Sequence, residues 1–184
     1  MKQNIYNLPN ILAFLRILLA PLMLWFLIGR ENPIFEGIHI SWLDYMAGLI
    51  FVIASVTDFF DGYIARSWKQ ITKLGGILDP LADKMLMLGG FIGLMAIGRA
   101  SVWAVFLILT REFFITGVRV LAASEGKDVA ASMVGKIKTV VQMIAIGFLI
   151  MNWSGGEILL WSAVVITLYS GFEYIMGYIK LEDR

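Results

Sequence analysis

The chain contains no cysteine and only one histidine, His39. Without cysteine it can form no disulfide, no thiolate metal site and no cysteine nucleophile. Charged residues are also scarce, at 16% of 184 residues, whereas 59% are hydrophobic and the mean hydropathy is +0.80. Soluble domains are roughly 45–50% apolar, so this composition excludes an ordinary soluble domain and predicts an integral membrane protein.

Six apolar segments are candidates for membrane-spanning helices, each of which needs about 20 mostly apolar residues. They are 11–28, 42–57, 81–97, 102–122, 134–151 and 158–179. We therefore predict an all-α membrane protein with about six transmembrane helices, in one domain over residues 1–184, since no repeat or long linker divides the chain. The first ten residues are predicted to lie along the membrane surface, with Pro9 and Asn10 opening the first helix.

The basic residues predict the orientation, because loops rich in Lys and Arg stay in the cytoplasm. Only Arg30 and Arg99 fall at the segment ends away from the termini. The basic residues on the side of the termini are Lys2, Arg66, Lys69, Lys73, Lys84, Lys127, Lys136, Lys138, Lys180 and Arg184. Both termini are therefore predicted to be cytoplasmic. The net charge of +1 hides this asymmetry, and no nucleic-acid partner is expected.

Four aspartates lie in the stretch TDFFDGYIARSWKQITKLGGILDPLADK, residues 57–84, among these apolar segments. Asp58 and Asp61 are three residues apart, and Asp79 and Asp83 are four apart, so the members of each pair share one helix face. Four converging carboxylates would repel one another unless a cation lay between them, and hard oxygen ligands favour Mg²⁺, Mn²⁺ or Ca²⁺. A simpler alternative is that such acids cap helices or mark the membrane surface, but two spaced pairs favour a metal site.

The residues around the aspartates favour a diphosphate ligand. Gly62 allows close approach to the helix backbone, Ala65 keeps the neighbourhood narrow, and Arg66 supplies a planar cation suited to phosphate. Pro80 suits a first helical turn, so Asp79 is predicted to open the helix that carries the second pair.

At these positions the chain resembles the CDP-alcohol phosphotransferases, whose signature DxxDGxxARx8GxxxDxxxD it matches at every fixed position. The matching residues are Asp58, Asp61, Gly62, Ala65, Arg66, Gly75, Asp79 and Asp83. Members of this family are membrane enzymes that move a phosphatidyl or similar group from a CDP-linked donor to an alcohol and release CMP. The segments NLPNILAFLR, REFFITGVR and GKIKT are similar to the branch that makes phosphatidylglycerophosphate from CDP-diacylglycerol and glycerol 3-phosphate.

The resemblance implies a role for each matching residue. Asp58, Asp61 and Asp79 would hold one divalent ion, Mg²⁺ or Mn²⁺, and Asp61, Asp79 or Asp83 would reach a second. Asp83 would also be the general base that takes a proton from the acceptor hydroxyl. The CDP-donor site would include Asn10, Asp61, Gly62, Ala65, Arg66 and Gly75. The resemblance further implies a homodimer in the lipid bilayer, with its active site at the cytoplasmic face.

Four cations are candidates for binding the acceptor phosphate. Arg111 and Arg119 share one predicted helix, and Lys136 and Lys138 open the next span from the same side. Three of them have an alternative role, because Arg111 could pair with Glu112 or Glu173, and Lys136 and Lys138 could only anchor the helix at the membrane surface.

Other functions remain open at this point. The acceptor could instead be inositol phosphate, serine or phosphatidylglycerol. Membrane prenyltransferases also use aspartate-rich motifs with Mg²⁺, but they lack the GxxAR element between the paired acids. A cation transporter would place its carboxylates at mid-membrane on broken helices, whereas here the acids cluster at one face.

Overall fold

The computed structural model describes residues 8–67, 75–126 and 132–182, with 9, 59–67, 76–77, 79–80 and 181–182 described by their backbone alone. The described residues form six α-helices and contain no strand, which confirms the all-α prediction. The helices are α1 (Leu8–Ile28), α2 (Ile40–Ser67), α3 (Gly75–Ala96), α4 (Val102–Ser124), α5 (Met133–Ile150) and α6 (Gly156–Glu182). Short 3₁₀ turns at Gly29–Glu31 and Pro33–Phe35 connect α1 to α2.

Four stretches of these helices are long and apolar enough to cross a membrane, which is consistent with a multi-pass membrane protein. They are Asn10–Glu31, Ile40–Asp58, Met133–Ile150 and Gly156–Lys180. Helices α3 and α4 carry more charge. The charged residues of α3 are Asp79, Asp83 and Lys84, and those of α4 are Arg111, Glu112 and Arg119. Length and composition therefore support four of the six predicted spans.

The chain divides into two compact units. Unit 1 comprises Met1–Arg99 with Ile150–Asn152, and unit 2 comprises Ala100–Leu149 with Trp153–Arg184. In unit 1, α1 packs along both α2 and α3. Gly93 of α3 lies so close to α1 that a Cβ there would be 2.8 Å from Cδ1 of Leu27. A small residue at this contact lets the two backbones approach, as is common in membrane helix packing.

In unit 2, α4 packs against α6. Buried apolar residues of this unit include Ile108 of α4 and Val164 of α6. A buried hydrogen bond, 2.8 Å long, runs from the amide of Gln142 on α5 to the hydroxyl of Thr167 on α6. Interhelical bonds of this kind stabilise membrane helices because a polar group in hydrocarbon has few other partners.

Asp44, near the start of α2, binds two arginines of unit 1. Its carboxylate accepts from Nη2 of Arg30 at 2.6 Å and from Nη2 of Arg99 at 2.7 Å. The same arginines also bind helix-end carbonyls, because Arg30 donates to Leu27 at 3.1 Å and Arg99 donates to Ile150 at 2.6 Å. Asp44 is only 7% exposed, so this cluster supplies the buried charge with partners and satisfies carbonyls that a helix end leaves open.

Two predicted helix starts can be compared with the structure. Helix α1 begins at Leu8, within two residues of the predicted opening at Pro9 and Asn10, and residues 1–7 lie outside the described residues. The prediction that Asp79 opens the next helix is wrong, because α3 begins at Gly75 and Pro80 lies in its second turn. Glycine disfavours a helix by only about 1 kcal/mol per residue, which helix packing readily overrides.

Candidate active site

The signature aspartates lie on two helices of unit 1. Helix α2 carries Asp58 and Asp61 in its second half, and α3 carries Asp79 and Asp83 in its first half. Both helices pack against α1. The side chains of Asp58 and Asp83 are described, whereas those of Asp61 and Asp79 lie outside the described atoms. The predicted three- and four-residue spacings therefore fall within helices, as the proposed carboxylate pairs require.

Asp58 forms an ion pair with Arg16 of α1, whose Nη1 donates to Oδ1 of Asp58. The arginine side chain is completely buried, whereas that of Asp58 is 34% exposed. A buried guanidinium in an apolar helix is costly unless a carboxylate or other acceptors compensate it. Asp58 therefore provides a counter-charge for Arg16, while part of the Asp58 side chain stays accessible.

Asp83 lies at the border between the buried and accessible faces of α3. Its side chain is partly exposed, although its Oδ1 atom is buried. The neighbouring residues differ in burial, since Ala82 is buried and Lys84 is exposed. Two predicted donor-site residues of unit 1 are buried, namely Asn10 on α1 and Gly75 at the start of α3. The roles predicted for Gly62, Ala65 and Arg66 depend on surroundings and side chains that lie outside the described atoms of α2.

The donor chemistry of this site fits a hard divalent cation. Carboxylate oxygens are the ligands that Mg²⁺ and Mn²⁺ prefer. Among the side chains that the structure describes, no group of three or more potential ligands comes together. Only Asp58 and Asp83 of the four aspartates belong to that set, so the complete carboxylate group stays a prediction.

In unit 2, Glu112 binds two of the predicted phosphate-binding cations. One of its carboxylate oxygens accepts from Nη1 of Arg111 at 3.1 Å and from Nζ of Lys138. Arg111 and Glu112 lie on α4, and Lys138 lies on α5. Arg111 and Lys138 thus share one carboxylate, and two cations beside a single carboxylate can attract an anion.

The alternative that Arg111 pairs with Glu112 is thus realised, whereas Glu173 is exposed. Arg111 also donates to the hydroxyl of Ser170 on α6 at 3.0 Å. The guanidinium of Arg119 lies 5.7 Å from the ring centre of Tyr174, also on α6. Both arginines of α4 therefore contact α6.

The two lysines differ in burial, as expected for residues two apart on a helix. Lys138 is 7% exposed and is held by Glu112, whereas Lys136 is exposed. The structure thus brings Arg111 and Lys138 together through Glu112, and it leaves Lys136 outside this cluster.

Two charged residues of unit 1, Arg16 and Asp44, have no predicted role in the sequence pattern. Arg16 is the only charged residue in the first apolar segment, 11–28. A charge inside a span is a functional candidate by default, so this signal could have identified it. Asp44 had no comparable signal, since an acid near the end of a span commonly marks the membrane surface.

Comparison with known proteins assigns the family. A family model described as CDP-alcohol phosphatidyltransferase matches residues 6–169. A Bacillus subtilis protein named CDP-diacylglycerol–glycerol-3-phosphate 3-phosphatidyltransferase is 39% identical over 183 residues, covering 92% of this chain and 93% of that protein. A Rickettsia typhi protein of the same name is 36% identical over 179 residues, covering 91% and 94%.

A third relative, a Mycobacterium tuberculosis protein named probable phosphatidylglycerophosphate synthase, is 36% identical over 179 residues, covering 95% of this chain and 82% of that protein. Enzymes of the matched family generally depend on divalent metal ions, in agreement with the oxygen donors on α2 and α3. Because the family match spans most of the sequence and the relatives align along nearly all of it, this chain belongs to the CDP-alcohol phosphatidyltransferase family.

Proposed function

We propose that this protein transfers the phosphatidyl group of CDP-diacylglycerol to a hydroxyl of glycerol 3-phosphate, giving phosphatidylglycerophosphate and CMP. The observation that carries the proposal is the end-to-end similarity to the Bacillus subtilis and Rickettsia typhi relatives, whose names state this activity. The complete signature of aspartates, glycines and arginine on residues 58–83 supports the same chemistry.

Asp83 is the general base in this proposal. It accepts the proton of the acceptor hydroxyl while the hydroxyl oxygen bonds to the β-phosphorus of the donor, and the bond from that phosphorus to the CMP oxygen breaks. The partial exposure of Asp83 supports this role, since a base must reach an acceptor that arrives from water. The burial of one of its oxygens favours a defined orientation.

The donor is held by residues of unit 1. Asp58, Asp61, Asp79 and Asp83 would bind two Mg²⁺ or Mn²⁺ ions, whose charge would offset that of the diphosphate and of the departing CMP. Gly62, Gly75 and Ala65 would leave room for the nucleotide. Arg66 and Asn10 would supply polar contacts to it.

The phosphate of the acceptor is bound by cations of unit 2. These are Arg111, Arg119, Lys136 and Lys138. The shared contact with Glu112 supports this role, because one carboxylate holds both Arg111 and Lys138 in place.

The remaining features of the proposal concern the whole protein. All six helices cross the cell membrane of a bacterium, both termini and the active site face the cytoplasm, and the chain acts as one domain in a homodimer. The basic residues at the side of the termini support this orientation. So does the chemistry, because the donor's acyl chains stay in lipid while its head group and the acceptor lie in water.

Purified protein in detergent tests the reaction directly. With CDP-diacylglycerol, Mg²⁺ and radiolabelled glycerol 3-phosphate, we expect labelled phosphatidylglycerophosphate and an equal amount of CMP. Inositol phosphate, serine and phosphatidylglycerol should compete poorly. Preferred transfer to one of these would contradict the acceptor, and the lack of CMP with every acceptor would contradict the reaction class.

Removal of metal tests the carboxylate site in the same assay. Excess EDTA should abolish CMP release, because the carboxylates and the diphosphate repel one another without a cation. Added Mg²⁺ or Mn²⁺ should restore it. Full turnover in EDTA would exclude the metal site.

A further inference from the structure

We infer that Arg16 is a positioning residue for the metal-binding carboxylate of Asp58. By donating to Oδ1 of Asp58, it fixes the side chain so that the second oxygen is directed to a divalent cation. The inference rests on the proposed function, in which Asp58 is a metal ligand, and it adds a residue that lies outside the family signature.

The surroundings of Arg16 explain why it pairs with a carboxylate. It is the only charged residue in segment 11–28, and its side chain is completely buried. A guanidinium at such a site needs a strong acceptor, since an uncompensated charge in a membrane helix is costly. Asp58, 42 positions later in the chain, supplies that acceptor.

Burial also decides how Arg16 acts. A side chain with no exposed surface cannot bind a substrate that arrives from water, so we place Arg16 as a residue that positions a carboxylate, and Asp58 accepts its hydrogen bond. The side chain of Asp58 is 34% exposed and therefore remains accessible to a cation. Ligating carboxylates commonly receive a hydrogen bond on the oxygen that does not bind the metal, and losing such a partner costs about 10- to 100-fold in metal affinity or activity.

The Asp44 cluster offers a matched control. It is also a carboxylate of α2 bound by arginines of unit 1, although the side chains of Arg30 and Arg99 are 20% and 15% exposed. Asp44 does not belong to the signature, and its carboxylate is bound by arginine on both oxygens. Substitution of Asp44 therefore shows how the loss of an ion pair changes stability and Mn²⁺ affinity when no proposed metal ligand is disturbed.

The test is Mn²⁺ binding by the purified full-length protein, measured from the electron paramagnetic resonance signal of free Mn²⁺ in the absence of substrate. We expect Arg16→Met to weaken Mn²⁺ binding about tenfold or more, and Arg16→Lys to weaken it less, because lysine keeps the charge but not the planar donor geometry. Asp44→Asn should lower the thermal unfolding temperature and leave Mn²⁺ affinity unchanged.

Unchanged or tighter Mn²⁺ binding in folded Arg16→Met would overturn the inference, as would equal weakening in Asp44→Asn. If Arg16→Met does not fold, Arg16→Lys decides, and wild-type affinity in it would count against the inference. CMP release from CDP-diacylglycerol, measured on the wild type, separates the two proposals. A wild-type protein that binds Mn²⁺ with the expected variant effects but releases no CMP would overturn the transfer reaction alone.

Discussion

Asp44 and Asp58 lie on the same helix, and each binds arginine from another part of unit 1. Removing one partner of a buried ion pair is more harmful than never having the pair, because the other charge is left uncompensated. For Asp44 both carboxylate oxygens are bound by arginine, so we expect its role to be structural. The same principle applies to the ion pair between Arg16 and Asp58, and Asp58 belongs to the signature.

Asp44→Asn should destabilise the fold. The three side chains are 10–20% exposed, so the expected loss in the free energy of unfolding is about 1–3 kcal/mol, below the value for a fully buried pair. Thermal unfolding in detergent measures it. Glu36→Gln, at an exposed position, is the control and should leave the unfolding temperature unchanged. An unchanged temperature in Asp44→Asn as well would exclude a stabilising role.

Asp83→Asn should reduce kcat by about 100-fold or more while the protein still binds CDP-diacylglycerol, because the base is lost but most of the metal site remains. Steady-state CMP release and binding of CDP-diacylglycerol measure the two quantities. Asp83→Glu keeps the carboxylate but displaces it, so we expect only partial activity. A kcat near that of the wild type in Asp83→Asn would reject Asp83 as the base.

At the scale of helices, close packing depends on small residues at particular contacts. A Cβ at Gly93 would be 2.8 Å from Leu27 Cδ1, 3.0 Å from Leu24 Cδ1 and 3.2 Å from Leu27 Cβ. Leu27 is fully buried and has little room to move. The contact between α1 and α3, both of which carry or support proposed site residues, is therefore sensitive to added volume.

Gly93→Ala should lower the free energy of unfolding by about 1–3 kcal/mol through overpacking. Gly117→Ala is a matched control on α4, because a Cβ there meets no atom within 4 Å. Alanine favours helix over glycine, so the control should be neutral or slightly stabilising. Equal unfolding temperatures of the two variants would contradict the packing argument.

Helices α4 and α5 carry the proposed acceptor site. Arg111→Met, Arg119→Met and Lys136→Met should each raise the KM for glycerol 3-phosphate about tenfold or more, corresponding to roughly 1.4 kcal/mol per lost contact. The KM for CDP-diacylglycerol should change far less. Lys180→Met, an exposed lysine in the last turn of α6, is the control. Equal rises in both KM values would assign these cations to the donor or to packing.

At the scale of the whole molecule, the orientation in the membrane decides which side of the membrane each connecting segment faces. With both termini in the cytoplasm and six spans, the connection between α5 and α6 faces outward and the end of α4 faces the cytoplasm. The distribution of basic residues is the physical basis of this proposal.

The absence of cysteine makes the orientation directly testable, since a single introduced thiol is the only one in the chain. Ser154→Cys lies between α5 and α6, and Ser124→Cys lies at the end of α4, and both positions are exposed. In intact cells a membrane-impermeant maleimide should label Ser154→Cys, and it should label Ser124→Cys only after the membrane is permeabilised. The reverse pattern would place the termini outside.

The sequence by itself determined what depends on local pattern. Helices follow from runs of apolar residues, and the spacing of Asp58 with Asp61, and of Asp79 with Asp83, places each pair on one face of a helix. Helix starts were less accurate, as at Gly75, because glycine and proline are weak signals once packing acts on a helix.

Only the tertiary structure decided which charges meet. Arg16 and Asp58 are 42 positions apart, Glu112 and Lys138 are 26 apart, and Asp44 and Arg99 are 55 apart. Such pairs depend on which helix faces pack together and on how far each helix is shifted along its axis relative to the other. Local periodicity does not contain that information, because a charge inside a span is stabilised by whichever opposite charge the folded chain brings within reach.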